Sequence, residues 1–242
     1  MSQIPNPYGM NRSVPWATEG TSNPAIVRFF NSVYAWMSVG LAVTAAVAWY
    51  VAQTPTLMAT FLHSWWILLI VELGLVMVIS SAVNKISANV ATVLFLLYAA
   101  INGLTLSVIF WKYSHSTLTS AFIVSAGTFG VMSAYGMLTK ADLTGVGKIL
   151  HMLLIGLVIA TIVSFFWQNS MFQIIFNYVG VLVFVGLAAY DTQKLKAMAT
   201  QTQDNPALAA RMSIVGSLVL YLDFLNLFLF ILQLMGNNDR RR

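Results

Sequence analysis

Seven stretches of the chain are almost unbroken runs of apolar residues, at roughly 29–52, 65–83, 88–110, 117–138, 149–167, 171–190 and 213–235. Each is long enough to cross a hydrocarbon layer of ~30 Å as a helix of ~20 residues rising ~1.5 Å per residue. The pattern predicts an all-α, polytopic membrane protein with seven transmembrane helices occupying 28–236. Only Gln168-Asn169-Ser170 separates the fifth run from the sixth, which predicts a tight hairpin there. Residues 1–27 carry Pro5, Pro7, Gly9, Pro15, Gly20 and Pro24 and read as a flexible tail without the layout of a secretory signal. Residues 237–242 form a short basic tail.

Composition agrees with the pattern. Hydrophobic residues make up 59% of the chain and charged residues 8%, against roughly 25% charged in a soluble domain. No length remains for a separate soluble domain. The absence of cysteine excludes disulfides, thiolate metal sites and thiol nucleophiles. The net charge of +5 is scattered through loops, with Arg240-Arg241-Arg242 as its one run. That distribution reads as solvated or headgroup-contacting charge, not as a nucleic-acid surface.

The loops also give an orientation. With the N-terminus cytoplasmic, the inner side holds Arg12, Arg28, Lys85, Lys140, Lys148, Lys194, Lys196 and Arg211, and the outer side holds Lys112 plus the terminal arginines. Omitting both tails, the bias is seven to one, as the positive-inside rule requires. Tryptophans such as Trp49, Trp65, Trp66, Trp111 and Trp167 fall near helix ends and read as interfacial anchors. Ala126, Gly130 and Ala134 place small residues on one face of the fourth helix, a spacing that lets another helix approach, within the chain or from a second one.

Candidate chemistry lies in three acidic residues inside or against apolar runs: Glu72, Asp191 and Asp223. Ionised carboxylates are costly in hydrocarbon, so such residues face a bundle interior, pair, and serve a function. Asp223 lies about ten residues into the last helix, ~15 Å deep. Asp191 closes the sixth run, a turn or two deep if the helix continues through Lys194-Leu195-Lys196; capping, or pairing with Lys194 or Lys196, is the structural alternative. The two helices share one loop, so the aspartates can meet on the inner half. Two carboxylates in one low-dielectric site cannot both ionise cheaply and titrate as a unit. Ionised, they offer oxygens to a hard cation such as calcium, bound transiently. Glu72, ~10 Å from the outer face, suits the mouth of a cation path. His63, His115 and His151 lack metal-ligand spacing. No nucleophile elbow or phosphate-binding glycine loop is present. The chain therefore reads as neither an enzyme nor a resident-cofactor protein.

Ala189-Tyr190-Asp191-Thr192-Gln193-Lys194 and Leu220-Tyr221-Leu222-Asp223-Phe224-Leu225-Asn226-Leu227-Phe228 resemble the signature segments of the Bax inhibitor-1 (transmembrane Bax inhibitor motif) family. Gly103-Leu104-Thr105-Leu106 and the acidic residue of the second run match it too. The resemblance spans about 28–236 and is closest in cast to bacterial inner-membrane members. It implies seven helices with the last one central and ringed by the other six. It also implies that Asp191 and Asp223 form a paired-aspartate pH sensor, linked in bacterial relatives to a pH-sensitive calcium leak. Eukaryotic relatives sit in internal membranes, restrain cell death and lower stored calcium. Some bacterial relatives instead restrain a membrane-anchored ATP-dependent protease. Some relatives carry an arginine latch at the inner end of the second helix. Here Val83 falls at that position, and nearby Lys85, a compact ammonium without a two-pronged fork, is the candidate latch. Three functions are thus open: a pH-gated calcium leak, an interaction protein acting on a membrane protease complex, and a proton-coupled antiporter.

Overall fold

The structure is a computed structural model that describes residues 23–63, 65–82, 86–164 and 170–239. Most of the predicted tail, the latch residues Val83 and Lys85, most of the 168–170 hairpin and the terminal arginines lie outside the described residues. Among the described residues every regular element is helical: α1 (Pro24–Ala52), α2 (Pro55–His63), α3 (Trp65–Ala82), α4 (Ala88–Leu106), α5 (Ile109–Lys112), α6 (His115–Leu138), α7 (Thr144–Ser164), α8 (Ser170–Thr202) and α9 (Pro206–Asp239). Among the described residues six spans, with α4 and α5 as one, are long and apolar enough to cross a membrane. A seventh is supplied if α2 and α3, bent by 72°, act as one broken span. The protein is a polytopic membrane protein.

Local chemistry sets the helix starts. Asn23 caps α1, its side chain accepting from Ala25 N, and Pro24 takes the first turn, where no N–H is needed. The predicted tail therefore ends before residue 27: Pro24 opens a helix rather than breaking one. Ser87 and Ser114 cap α4 and α6. Asn205 accepts from Leu208 N at 3.0 Å just before Pro206, which starts α9. At the far end of α1 the indole of Trp111 donates to Ala52 O at 2.9 Å, closing a helix end.

Two helices run well beyond their apolar sequences. α8 reaches Thr202 rather than 190, and α9 begins at Pro206 rather than 213. The polar residues that mask this extension, Gln193 and Lys196, are buried against α6 and the loop after it.

The last helix is the post of the bundle. The most apolar window of α9 is 67% buried, against 17–33% for the other spans. It packs on α1, α4, α6 and α8, while α3 docks mainly on α4 and α7 mainly on α8. Between apolar helices in lipid, association depends on close fit. Gly136 on α6 lies against the backbone of Ala189 on α8, leaving no space for a Cβ. Gly103 on α4 likewise abuts the Thr44 carbonyl of α1. The small-residue face at Ala126, Gly130 and Ala134 is not the packing face within this chain. Those residues are exposed, and α6 packs through Ala121, Ser125, Phe129, Ser133 and Gly136.

Candidate functional site

The α8–α9 hairpin brings the two aspartates together. Asp191 and Asp223 are 6% and 5% exposed, and their carboxyl groups are within hydrogen-bonding reach of each other. Asp223 Oδ2 is fully buried and has no hydrogen-bond partner among the described residues. Asp191 lies eleven residues before the end of α8 at Thr202, about 16 Å along the helix. It is an interior residue, not a helix-end cap.

Neighbouring side chains fix the α8 segment that carries Asp191. Tyr190 lies against Gly147 of α7, and its ring meets the His151 ring edge-on with centroids 5.6 Å apart. Thr192 shares a 2.7 Å hydrogen bond with Ser133, which shares another of 2.7 Å with Tyr34 of α1. Thr192 itself donates to Ala188 O, so the chain of hydroxyls is anchored at one end by a carbonyl. Gln193 donates to Ala141 O at 2.8 Å and accepts from Leu143 N at 3.0 Å, clasping the loop between α6 and α7. Lys196 Nζ donates to Met137 O at 3.0 Å, placing its charge at the carboxyl end of α6. Five positions between 190 and 196 thereby tie α8 to α1, α6, α7, α9 and a loop. Lys194 and His151 lie within electrostatic reach of Asp191.

Glu72 is elsewhere. Its carboxylate accepts from Thr105 Oγ1 at 2.6 Å, and it interacts electrostatically with Tyr98 and Tyr221. Tyr221 in turn shares a 2.7 Å hydrogen bond with Thr44, and its ring meets Phe95 and Tyr98 edge-on. Tyr221 and Asp223, two positions apart, point to different faces of a helix. α9 thus separates a carboxyl pair on its α8 side from a phenol–hydroxyl–Glu72 cluster on its α1 and α4 side. Among the described residues no group of three or more His, Cys, Asp or Glu side chains could hold a metal ion.

The sequence reading missed Tyr34, Ser133, Thr192, Gln193 and the buried role of Lys196. Thr192 and Gln193 lie inside the quoted motif, which was the one available signal. Ser133 and Tyr34 carried none, since single hydroxyls within spans are common.

A family model described as the inhibitor of apoptosis-promoting Bax1 matches residues 26–240. The chain belongs to the Bax inhibitor family. The match takes in both aspartates, Glu72 and the Gly103 segment. Inner membrane protein YbhL of Escherichia coli (strain K12) is 49% identical over 217 residues, covering 86% of this chain and 91% of that protein. An uncharacterized protein of Borreliella burgdorferi is 42% identical over 212 residues (86% and 91%). One of Deinococcus radiodurans is 41% identical over 211 residues (87% and 91%).

Proposed function

We propose that this Bax inhibitor family protein is a non-enzymatic, passive calcium leak of the bacterial inner membrane, gated by protons at Asp191 and Asp223. The observation that carries the reading is the contact between two buried carboxyl groups on the central hairpin. Ionised carboxylates only accept hydrogen bonds, so a bond between two carboxyls requires a proton on one of them. With that proton in place, the pair bridges α8 to α9. Without it, two like charges face each other in a dry site and either separate the helices or recruit a cation. A pair of carboxylates falls short of the roughly six to eight oxygens of a resident calcium site, which suits transient contact during passage. Glu72 lines the outer half of the route, and the seven-to-one loop bias supports a cytoplasmic N-terminus.

The test is calcium flux into liposomes holding the purified protein, from about pH 6 to about pH 8, for wild type and the Asp191→Asn, Asp223→Asn double variant. The expected result is a pH-dependent flux that the variant flattens. Folded wild-type protein with no flux above empty liposomes overturns the leak and favours a protein partner. Flux that follows an imposed proton gradient favours antiport.

A further inference from the structure

Where α1 and α9 begin and α8 ends, a groove of about 260 Å³ opens between the three helices, apart from the carboxyl pair. Its floor is apolar, formed by Phe29 and the alanines 199, 209 and 210. Its polar lining comprises Arg28, Ser32, Thr202, Gln203 and Ser213.

The hydrogen bonds decide what this lining offers. Ser213 donates to Ala210 O, Thr202 donates to Met198 O, and Ser32 is bonded to Ser213 at 3.0 Å. The hydroxyl protons are therefore committed within the fold. Gln203 Oε1 accepts from Asn23 Nδ2 at 3.0 Å, and its amide nitrogen makes no hydrogen bond among the described residues. Arg28 is exposed and forms no ion pair among the described residues. What remains is a guanidinium and an amide nitrogen, both donors, one cationic. Among the described residues no acidic side chain lines the groove; Asp204 follows Gln203 in the turn but is not on the wall.

A cationic rim with an amide N–H donor beside it, over an apolar floor at the end of a transmembrane bundle, matches a phosphodiester joined to acyl chains. We propose that this groove binds the headgroup of an anionic phospholipid, its phosphate on the Arg28 guanidinium and the Gln203 amide, its first methylenes against Phe29. The planar guanidinium suits phosphate oxygens in a way an ammonium does not. Basic pockets between helices at a membrane surface select such lipids. The groove joins α1 to both arms of the α8–α9 hairpin, so a bound lipid staples the N-terminal helix to the hairpin. The assignment stands whether or not the chain conducts ions.

The test uses the full chain in uncharged detergent and reads the thermal unfolding midpoint. The additions are short-chain phosphatidylglycerol, phosphatidylcholine of equal chain length, or inorganic phosphate. Phosphatidylglycerol should raise the wild-type midpoint well beyond phosphatidylcholine, and phosphate alone should not. Arg28→Gln should weaken the phosphatidylglycerol response roughly tenfold in concentration, about one charge-assisted hydrogen bond. Lys148→Gln, a basic residue away from the groove, should leave it intact. An unchanged response in Arg28→Gln, equal responses to both lipids, or full reproduction by phosphate overturns the proposal. If Arg28→Gln is itself unstable, native mass spectrometry of wild type from an equimolar lipid mixture decides. Preferential retention of phosphatidylglycerol supports the site, and equal retention overturns it.

Discussion

Asp223 shows how much one side chain can be asked to do in a dry interior. It is buried, one of its oxygens has no hydrogen-bond partner among the described residues, and its neighbour on α8 is a second carboxyl. Replacing it separates geometry from charge. Asp223→Asn retains a donor for Asp191, so the fold should hold while the pH response of the flux disappears. Asp223→Ala leaves Asp191 buried without its partner and should lower stability by about 1–3 kcal/mol, read as a fall in the thermal unfolding midpoint. Equal stability of the two variants would remove the carboxyl contact from the account of the fold. Both aspartates were legible in the sequence because a charge inside an apolar run is anomalous by itself. Their supports were not: Ser133 and Thr192 are 59 residues apart, and Tyr34 and Ser133 are 99 apart. No local pattern relates them, and only the packing of α1, α6 and α8 makes them neighbours.

Helices show the same contrast between local and tertiary information. Apolar runs located the spans, because hydrocarbon selects for apolar side chains at every exposed position. They could not give the length of α8, whose last turns are polar in sequence yet buried in space. Nor could they say which small residues mark a contact. Ala126, Gly130 and Ala134 were open to a contact within the chain or from a second one; within the chain it is Gly136 that makes the approach, against the Ala189 backbone. A Cβ at Gly136 has rigid main chain to meet, so Gly136→Ala should cost about 1–3 kcal/mol. The control is Gly130→Ala, which has open space around it and should be near neutral in the same thermal assay. The start of α7 carries a pH dependence of its own. Asp142 accepts from Thr144 N at 2.9 Å, and hydrogen bonds from the Thr144 side chain and backbone hold its carboxyl below the ordinary aspartate value. A folded value lowered in this way stabilises above the unfolded value of ~3.9 and is lost as pH falls through the folded one. Amide exchange in residues 144–148 should therefore be insensitive to pH-driven fraying above about pH 5, and protection should fall on acidification. Asp142→Ala should show the weakened state already at neutral pH; unchanged protection there would rule out the Asp142–Thr144 contact as its cause.

At the scale of the molecule, the central position of α9 has a consequence for how the bundle is made. In chain order α9 follows every helix it packs against. Ribosomal synthesis proceeds from the N-terminus, so α1, α4, α6 and α8 enter the membrane before the post that joins them exists. During that interval Asp191 lies in the sixth span without its carboxyl partner, and the inner faces of four helices have only lipid or one another. Arrival of α9 then closes the core and completes the carboxyl pair in one step. The residue pair proposed to read pH is completed only when α9 arrives, so a chain that can sense protons is one in which α9 has already joined α1, α4, α6 and α8.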